Sequence, residues 1–173
     1  MAGGAQRRKR GRKALAAIVF AVLGRGLVAC VRLDERVRAD VRGWPEGTVV
    51  TLRIAPTGPQ VSWRSADGAL RYLGGRDVAS DLLVTFKSVD GALPVLLGIK
   101  PVLRSFAEHR AVVRGDLTLA MSLVRCLHIV EGYLFPDLMT RRILPHPATR
   151  RASHATAYVF CLFRTASLDG GTA

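Results

Sequence analysis

The sequence predicts an α+β domain: a sheet of short strands covered on one face by helices, with a further helix ahead of it. Three observations predict this. Residues 48–87 carry β-branched and aromatic residues in short alternating runs, broken by Pro, Gly and Asp turns. Residues 14–33 and 117–134 flank that region with apolar residues at helical spacing. Hydrophobic residues make up 49% of the 173 positions, enough for one core, which excludes a wholly disordered chain.

The elements follow in order. Residues 1–13 (MAGGAQRRKRGRK) have almost no apolar content and read as a disordered basic arm. From Ala14 to Trp44 an apolar run passes without a break into a charged stretch. Leu15, Ile18, Val19, Val22, Leu23, Leu27, Val31 and Leu33 roughly follow helical spacing, which fits an amphipathic helix packed on the domain or lying on a membrane. A membrane anchor and a cleaved signal remain as alternatives. Gly24, Arg25 and Gly26 in the middle oppose the anchor, since a central arginine costs roughly 2.5 kcal/mol or more. The poor small-residue cleavage pattern opposes the signal.

Trp44-Pro45-Glu46-Gly47 closes this segment. Thr48–Ile54 is then a strand, Pro56-Thr57-Gly58-Pro59 a turn, and Gln60–Arg64 a second strand with Val61 and Trp63 on one face. Asp67-Gly68 is a strong hairpin cue before a third strand at Ala69–Leu73. Asp81–Lys87 gives a fourth, with Leu82, Val84 and Phe86 on one face. One apolar and one mixed face fit an antiparallel sheet covered on one side. Ser88 or Asp90 caps a short helix through Leu93–Leu97, and a second short helix runs on to about His109. Ala111–Arg114 is a last strand, Gly115 allows a sharp turn, and Asp116 caps a helix from Leu117 that Phe135-Pro136 ends. Residues 46–144 form the domain, and residues 145–173 read as a loose tail in which only Ala157–Phe163 is apolar enough to pack back.

Lys and Arg number 26 against 13 Asp and Glu, a formal net charge of +13. Nucleic acid is one reading of that balance, with the basic N-terminal arm binding it and the domain serving as a scaffold. The distribution favours another: Arg7, Arg8, Lys9, Arg10, Arg12 and Lys13 cluster beside the apolar run, which suits an anionic membrane surface. Aromatics are 6% and none interleaves with the arm, so stacking on single strands has little support.

Common catalytic signatures are absent. There is no GxxxxGK[ST], no GxGxxG after a strand and no GxSxG. Cys30, Cys126 and Cys161 lie too far apart for a zinc site or a disulfide framework, and the four histidines show no HxxxH or HExxH arrangement. Cys126 and His128 face different ways on a helix, whereas His128 and Glu131 (i, i+3) share an edge. The bland reading is a buried cysteine and a polar pair at the helix edge; the sharper one is a base in a small enzyme. Glu108, His109 and Asp116 suggest a relay on paper, yet no nucleophile can be set beside them, and His109 suits a helix C-terminus. No cofactor is implied, and the chain is expected not to be an enzyme.

The aliphatic residues in 92–103 and 117–135 exceed what a small sheet needs to cover one face. Ordinary core accounts for such a surplus; so does a cavity for an apolar ligand, which requires no catalytic residue. The order of "DLLVTFKS" and "HRAVVRGDLTLAMSLVRCL" resembles the sterol-carrier-protein type of lipid-binding domain. The matching positions are Leu82, Val84 and Phe86 on a strand, Val113-Arg114-Gly115-Asp116 at a turn, and Leu117–Leu127 on a helix. The stretch from "SLVRCLHIVEGYLFP" to "RRIL" looks like a bacterial subgroup with this domain. The resemblance covers about residues 46–144 and implies a twisted antiparallel or mixed sheet of about five strands, with helices on one face enclosing an apolar tunnel. It further implies a ligand such as a sterol, fatty acid, acyl-CoA or phospholipid. The ending Gly-Gly-Thr-Ala lacks the Ser-Lys-Leu address of peroxisomal carriers, so the expected location is cytoplasmic, with a peripheral hold on a membrane. Leu82, Val84, Phe86, Leu96, Leu97, Leu117, Met121 and Val124 are the candidate lining residues.

Overall fold

Turn chemistry sets the first three strands. In this computed structural model, which describes residues 2–97, 99 and 108–134, β1 (Val49–Ile54) pairs antiparallel with β2 (Gln60–Ala66), and β2 with β3 (Ala69–Gly74) across the expected Asp67-Gly68 turn. Residues 75–81 then cross to the far side of β1, where β4 (Leu82–Phe86) runs parallel to it, with Val50 opposite Leu82 and Leu52 opposite Val84. The fifth strand, β5 (Ala111–Arg114), pairs antiparallel with β4, giving the order β3-β2-β1-β4-β5. The sheet is therefore mixed. The purely antiparallel reading of its first four strands is corrected at β1–β4, because the crossing segment carries the chain past β2 to the opposite edge. Asp81 fixes that crossing: its carboxylate accepts from Val49 N (2.8 Å) and its own N–H donates to Val49 O (2.9 Å).

Strand alternation sorts the side chains. Val50, Leu52, Ile54, Val61, Trp63, Leu82, Val84 and Phe86 are buried on the face that meets the helices. The other face carries Arg53, Arg64, Arg71 and Arg114, together with Thr51, whose hydroxyl bonds Ser62 (2.8 Å) and Ser80 (2.6 Å). The arginines scattered through the β region are thus every-second-residue neighbours of core side chains.

Two expectations for the N-terminal part are corrected. Composition predicts a disordered arm over residues 1–13, yet α1 runs from Ala2 to Leu33, 32 residues. Ala, Arg and Lys are strong helix formers, and an apolar run already helical gives them a nucleus to extend from. The single helix expected over 14–44 is two. Asp34 adopts an extended conformation (φ −121°, ψ 120°) and caps α2 (Glu35–Arg42), accepting from Arg36 N at 2.9 Å.

Helix α1 is not amphipathic over its second half. Residues 23, 24 and 26–31 are all buried, so the helix is enclosed on nearly every side. This accounts for a segment, Arg10–Leu33, long and apolar enough to cross a membrane: more than half of its most apolar 18-residue stretch is packed inside the domain. The central Gly24 and Gly26 serve that packing. A Cβ on Gly24 would stand 2.6 Å from Tyr72 and 2.7 Å from Val61, and one on Gly26 would stand 2.9 Å from Leu134. Trp63 Nε1 donates to Gly24 O (2.9 Å), and the Arg25 guanidinium lies 5.2 Å from the centre of the Tyr72 ring.

Helix α3 (Val89–Leu96) takes Ser88 as its cap, the hydroxyl accepting from Gly91 N at 3.1 Å, and contains Pro94. Helix α4 (Leu117–Leu134) starts as expected at Asp116, which accepts from Leu119 N at 2.9 Å. Gly115 before it has φ +119°, and a Cβ there would meet Asp81 O. The short helix expected over 101–109, the end of α4 at Phe135-Pro136 and the tail 145–173 lie largely or wholly outside the described residues.

Candidate functional site

The helix-facing side of β1 and β4 and the inner faces of α3 and α4 enclose a cavity of about 20 Å³. Its lining is Leu52 from β1, Val84 and Phe86 from β4, Val95 and Leu96 from α3, and Ala120, Leu123, Val124, Leu127 and Glu131 from α4. The α4 members fall at i, i+3, i+4, i+7 and i+11, one continuous stripe of that helix. As it stands the cavity has room for about one water-sized group. Phe86, Leu96, Leu123 and Leu127 are among the bulkiest apolar side chains of its wall.

The structure divides the eight expected lining residues. Val84, Phe86, Leu96 and Val124 line the cavity. Leu82 is fully buried on the same sheet face without lining it, and Leu97 and Met121 are half-buried beside the core. Leu117 is 69% exposed. It occupies the first turn of α4, ahead of the stripe that begins at Ala120.

Glu131 is the residue the sequence reading undervalued. It is 4% exposed, and burial pushes its carboxyl up to about 8. His128 Nδ1 lies 3.7 Å from Glu131 Oε2, on the helix edge as the spacing suggested. Burial lowers the imidazole's pKa as well, so neither group is charged strongly enough to make the pair a firm ion pair at neutral pH. Cys126 is buried, with its thiol pushed up to about 12 mainly by burial, and is not a nucleophile. Glu108 pairs with its neighbour Arg110 at 2.6 Å. Among the described residues no cluster of His, Cys, Asp and Glu is placed to hold a metal ion.

Of the basic cluster, Arg12 reaches Asp90 (2.6 Å) and Lys13 Nζ donates to Thr57 Oγ1 (2.8 Å), so both tie α1 to the domain. Arg7 and Arg10 are exposed, and the side chains of Arg8 and Lys9 lie outside the described set. Beside the exposed pair, Leu15 and Ile18 point outward, Ile18 with 61% exposure.

No protein-family model matches the chain, and no curated protein matches it. Solved structures do. A crystal structure of sterol carrier protein 2 is similar with a TM-score of 0.50 and 14% identity, over 64% of this chain and 94% of that one. The apo form of sterol carrier protein 2 from Yarrowia lipolytica gives a TM-score of 0.46 and 18% identity, over 66% and 90%. A UbiJ-SCP2 ubiquinone synthesis protein gives 0.47 and 14%, over 68% and 97%. The first of these shows that the chain has the sterol-carrier α+β fold, a five-stranded mixed sheet with helices over one face.

Proposed function

We propose that this protein binds and carries an apolar lipid, such as a fatty acid, acyl-CoA, sterol-like molecule or phospholipid, and catalyses no reaction on it. The ligand chain would lie between β1, β4, α3 and α4. The observation that carries this reading is the cavity lining, in which nine of ten side chains are apolar and the tenth is a carboxyl. The fold shared with sterol carrier protein 2 supports it.

Binding a chain would require α3 to move outward from the sheet and widen the cavity it lines with α4. Exposing Val95, Leu96 and a neighbour would cost roughly 1.5–3 kcal/mol each, whereas burying about twelve methylenes gains about 10 kcal/mol. The ligand's own burial therefore outweighs the opening. Pro94 weakens α3 further by removing one helix hydrogen bond. Native mass spectrometry of the purified protein, with displacement of a fluorescent fatty acid, tests this: a co-purifying or displaceable lipid is expected. A protein that carries none and displaces none would refute the carrier function.

We further place the protein in the cytoplasm, at an anionic membrane surface. Arg7 and Arg10 next to the outward Leu15 and Ile18 are suited to such a surface, offering cations and apolar contacts together. The buried thiols Cys30 and Cys126 are compatible with a reducing compartment. Co-sedimentation with vesicles containing phosphatidylserine, but not with phosphatidylcholine alone, is the expected outcome, and Arg7→Glu with Arg10→Glu should abolish it.

The arginines on the outer sheet face favour a second reading, a nucleic-acid-binding scaffold. Arg64 and Arg71 stand directly opposite each other there, an unfavourable like-charge pair unless an anion is shared. Duplex affinity that falls steeply with salt, and is lost on Arg64→Ala with Arg71→Ala, is its signature.

A further inference from the structure

The Glu131 carboxyl sits in a place that neither core packing nor ion pairing explains. It ends the cavity stripe of α4, one turn beyond Leu127, and is buried among Leu52, Val84, Phe86, Val95 and Leu96. From β1, β4 and α3 the lining brings only apolar side chains to it. On its own helix the titratable neighbour is His128, with Nδ1 3.7 Å from Oε2, half-buried and beyond good hydrogen-bond distance. A carboxyl in the wall of an apolar cavity is the one lining group that can offer a hydrogen bond to whatever enters it.

We infer that Glu131 is the polar contact for the head of the bound lipid, and that the site takes an uncharged oxygen head, such as an alcohol hydroxyl, in preference to a free carboxylate. This rests on the lipid-carrier function proposed above. The cavity's size fits the inference, since about 20 Å³ admits one oxygen-sized group next to the carboxyl, with the chain following once α3 moves. A hydroxyl can donate to and accept from the carboxyl. A carboxylate head brings a negative charge into the apolar pocket, and once Glu131 loses its proton the pocket holds two. Burial holds that proton on at neutral pH, with the pKa near 8. Affinity for an acid head should therefore fall as pH rises through that value, while affinity for the alcohol changes little.

The test uses the full chain, with a long-chain fatty alcohol and the matching fatty acid competing against a fluorescent lipid between about pH 6.5 and 9.5. The wild type should prefer the alcohol, by a margin that widens about tenfold per pH unit above the carboxyl's pKa. Glu131→Gln keeps the shape and hydrogen-bonding capacity, so the pH-dependent part of the margin should vanish. Glu131→Leu should bind the alcohol about tenfold more weakly. Parallel pH profiles for the two lipids in the wild type, or the same margin in Glu131→Gln, would overturn the inference. Should Glu131→Leu fail to fold, the wild-type and Glu131→Gln profiles decide alone. Failure of the wild type to bind either lipid is a different result, which refutes the carrier function itself.

Discussion

Asp34 shows how much one side chain organises here. It is fully buried, caps α2, and accepts from Arg36 Nη2 (2.8 Å), Arg36 Nε (3.1 Å) and Tyr133 Oη (2.9 Å). One carboxylate thus joins the α1–α2 corner to the end of α4. The Arg36 guanidinium, ahead of the backbone and Tyr133 hydrogen bonds, brings its pKa down to about 2 against an ordinary 3.8. A carboxyl depressed in the folded state stabilises above its unfolded pKa, and that stabilisation is lost as pH falls from about 4 through 2. The contribution is on the order of 2 kcal/mol. Asp34→Ala removes the cap of α2 together with the hydrogen bonds this carboxylate accepts from Arg36 and Tyr133, which should cost about 2–3 kcal/mol in urea unfolding at neutral pH. The gap between variant and wild type should narrow toward pH 2; a gap independent of pH would contradict the assignment.

At the scale of elements, the glycines of α1 separate packing from propensity. Gly24 meets the sheet at Val61 and Tyr72, whereas a Cβ on Gly11 would meet nothing within 4 Å. Gly24→Val should therefore lower stability by about 1–3 kcal/mol through overpacking. Gly11→Ala should raise it by up to about 1 kcal/mol, because only helix propensity changes there. Denaturant midpoints of the two variants check this, and a shared sign would contradict the placement of α1. These glycines also show where the sequence was legible. All five strands and the start of α4 could be read, because alternation, Asp67-Gly68 and Asp116 are local signals that the tertiary structure does not override. The parallel β1–β4 pairing could not, since no local feature of residues 75–81 says which edge they reach. Helix α1 was misjudged because burial on all sides removes the polar face by which a helix is oriented. Of the cavity wall, Val84, Phe86, Leu96 and Val124 follow from periodicity. Glu131 falls on the same stripe, four beyond Leu127, but its i, i+3 spacing from His128 equally fits a polar pair at the helix edge.

For the whole molecule, Asp34 and Glu131 pull the pH dependence of stability in opposite directions. Asp34 gives up protons on folding, so it stabilises once the pH exceeds about 4. Glu131 does the reverse. Its ordinary pKa of 4.5 rises to about 8 on burial, so between those values the folded state holds a proton that the unfolded chain has released. Stability from this group is full below about pH 4.5 and declines as pH climbs to 8, where the folded carboxyl ionises too. The optimum should therefore lie near the acidic end of the common range of pH 5–8. The net charge of +13 complicates a bare profile, because acidification adds further positive charge to the folded chain. Subtraction removes that background: Glu131→Gln shares every other charge above about pH 5, so the difference between its unfolding free energy and that of the wild type isolates the carboxyl. The difference should grow in favour of the variant by several kcal/mol from about pH 5 to 8 and then level off. Saturating fatty alcohol should shrink it, since a hydroxyl bonded to Glu131 stabilises its ionised form and so lowers the cost of the buried charge. A flat difference curve in the absence of lipid would mean that Glu131 ionises in place without cost, and that the cavity is wetter than its lining indicates.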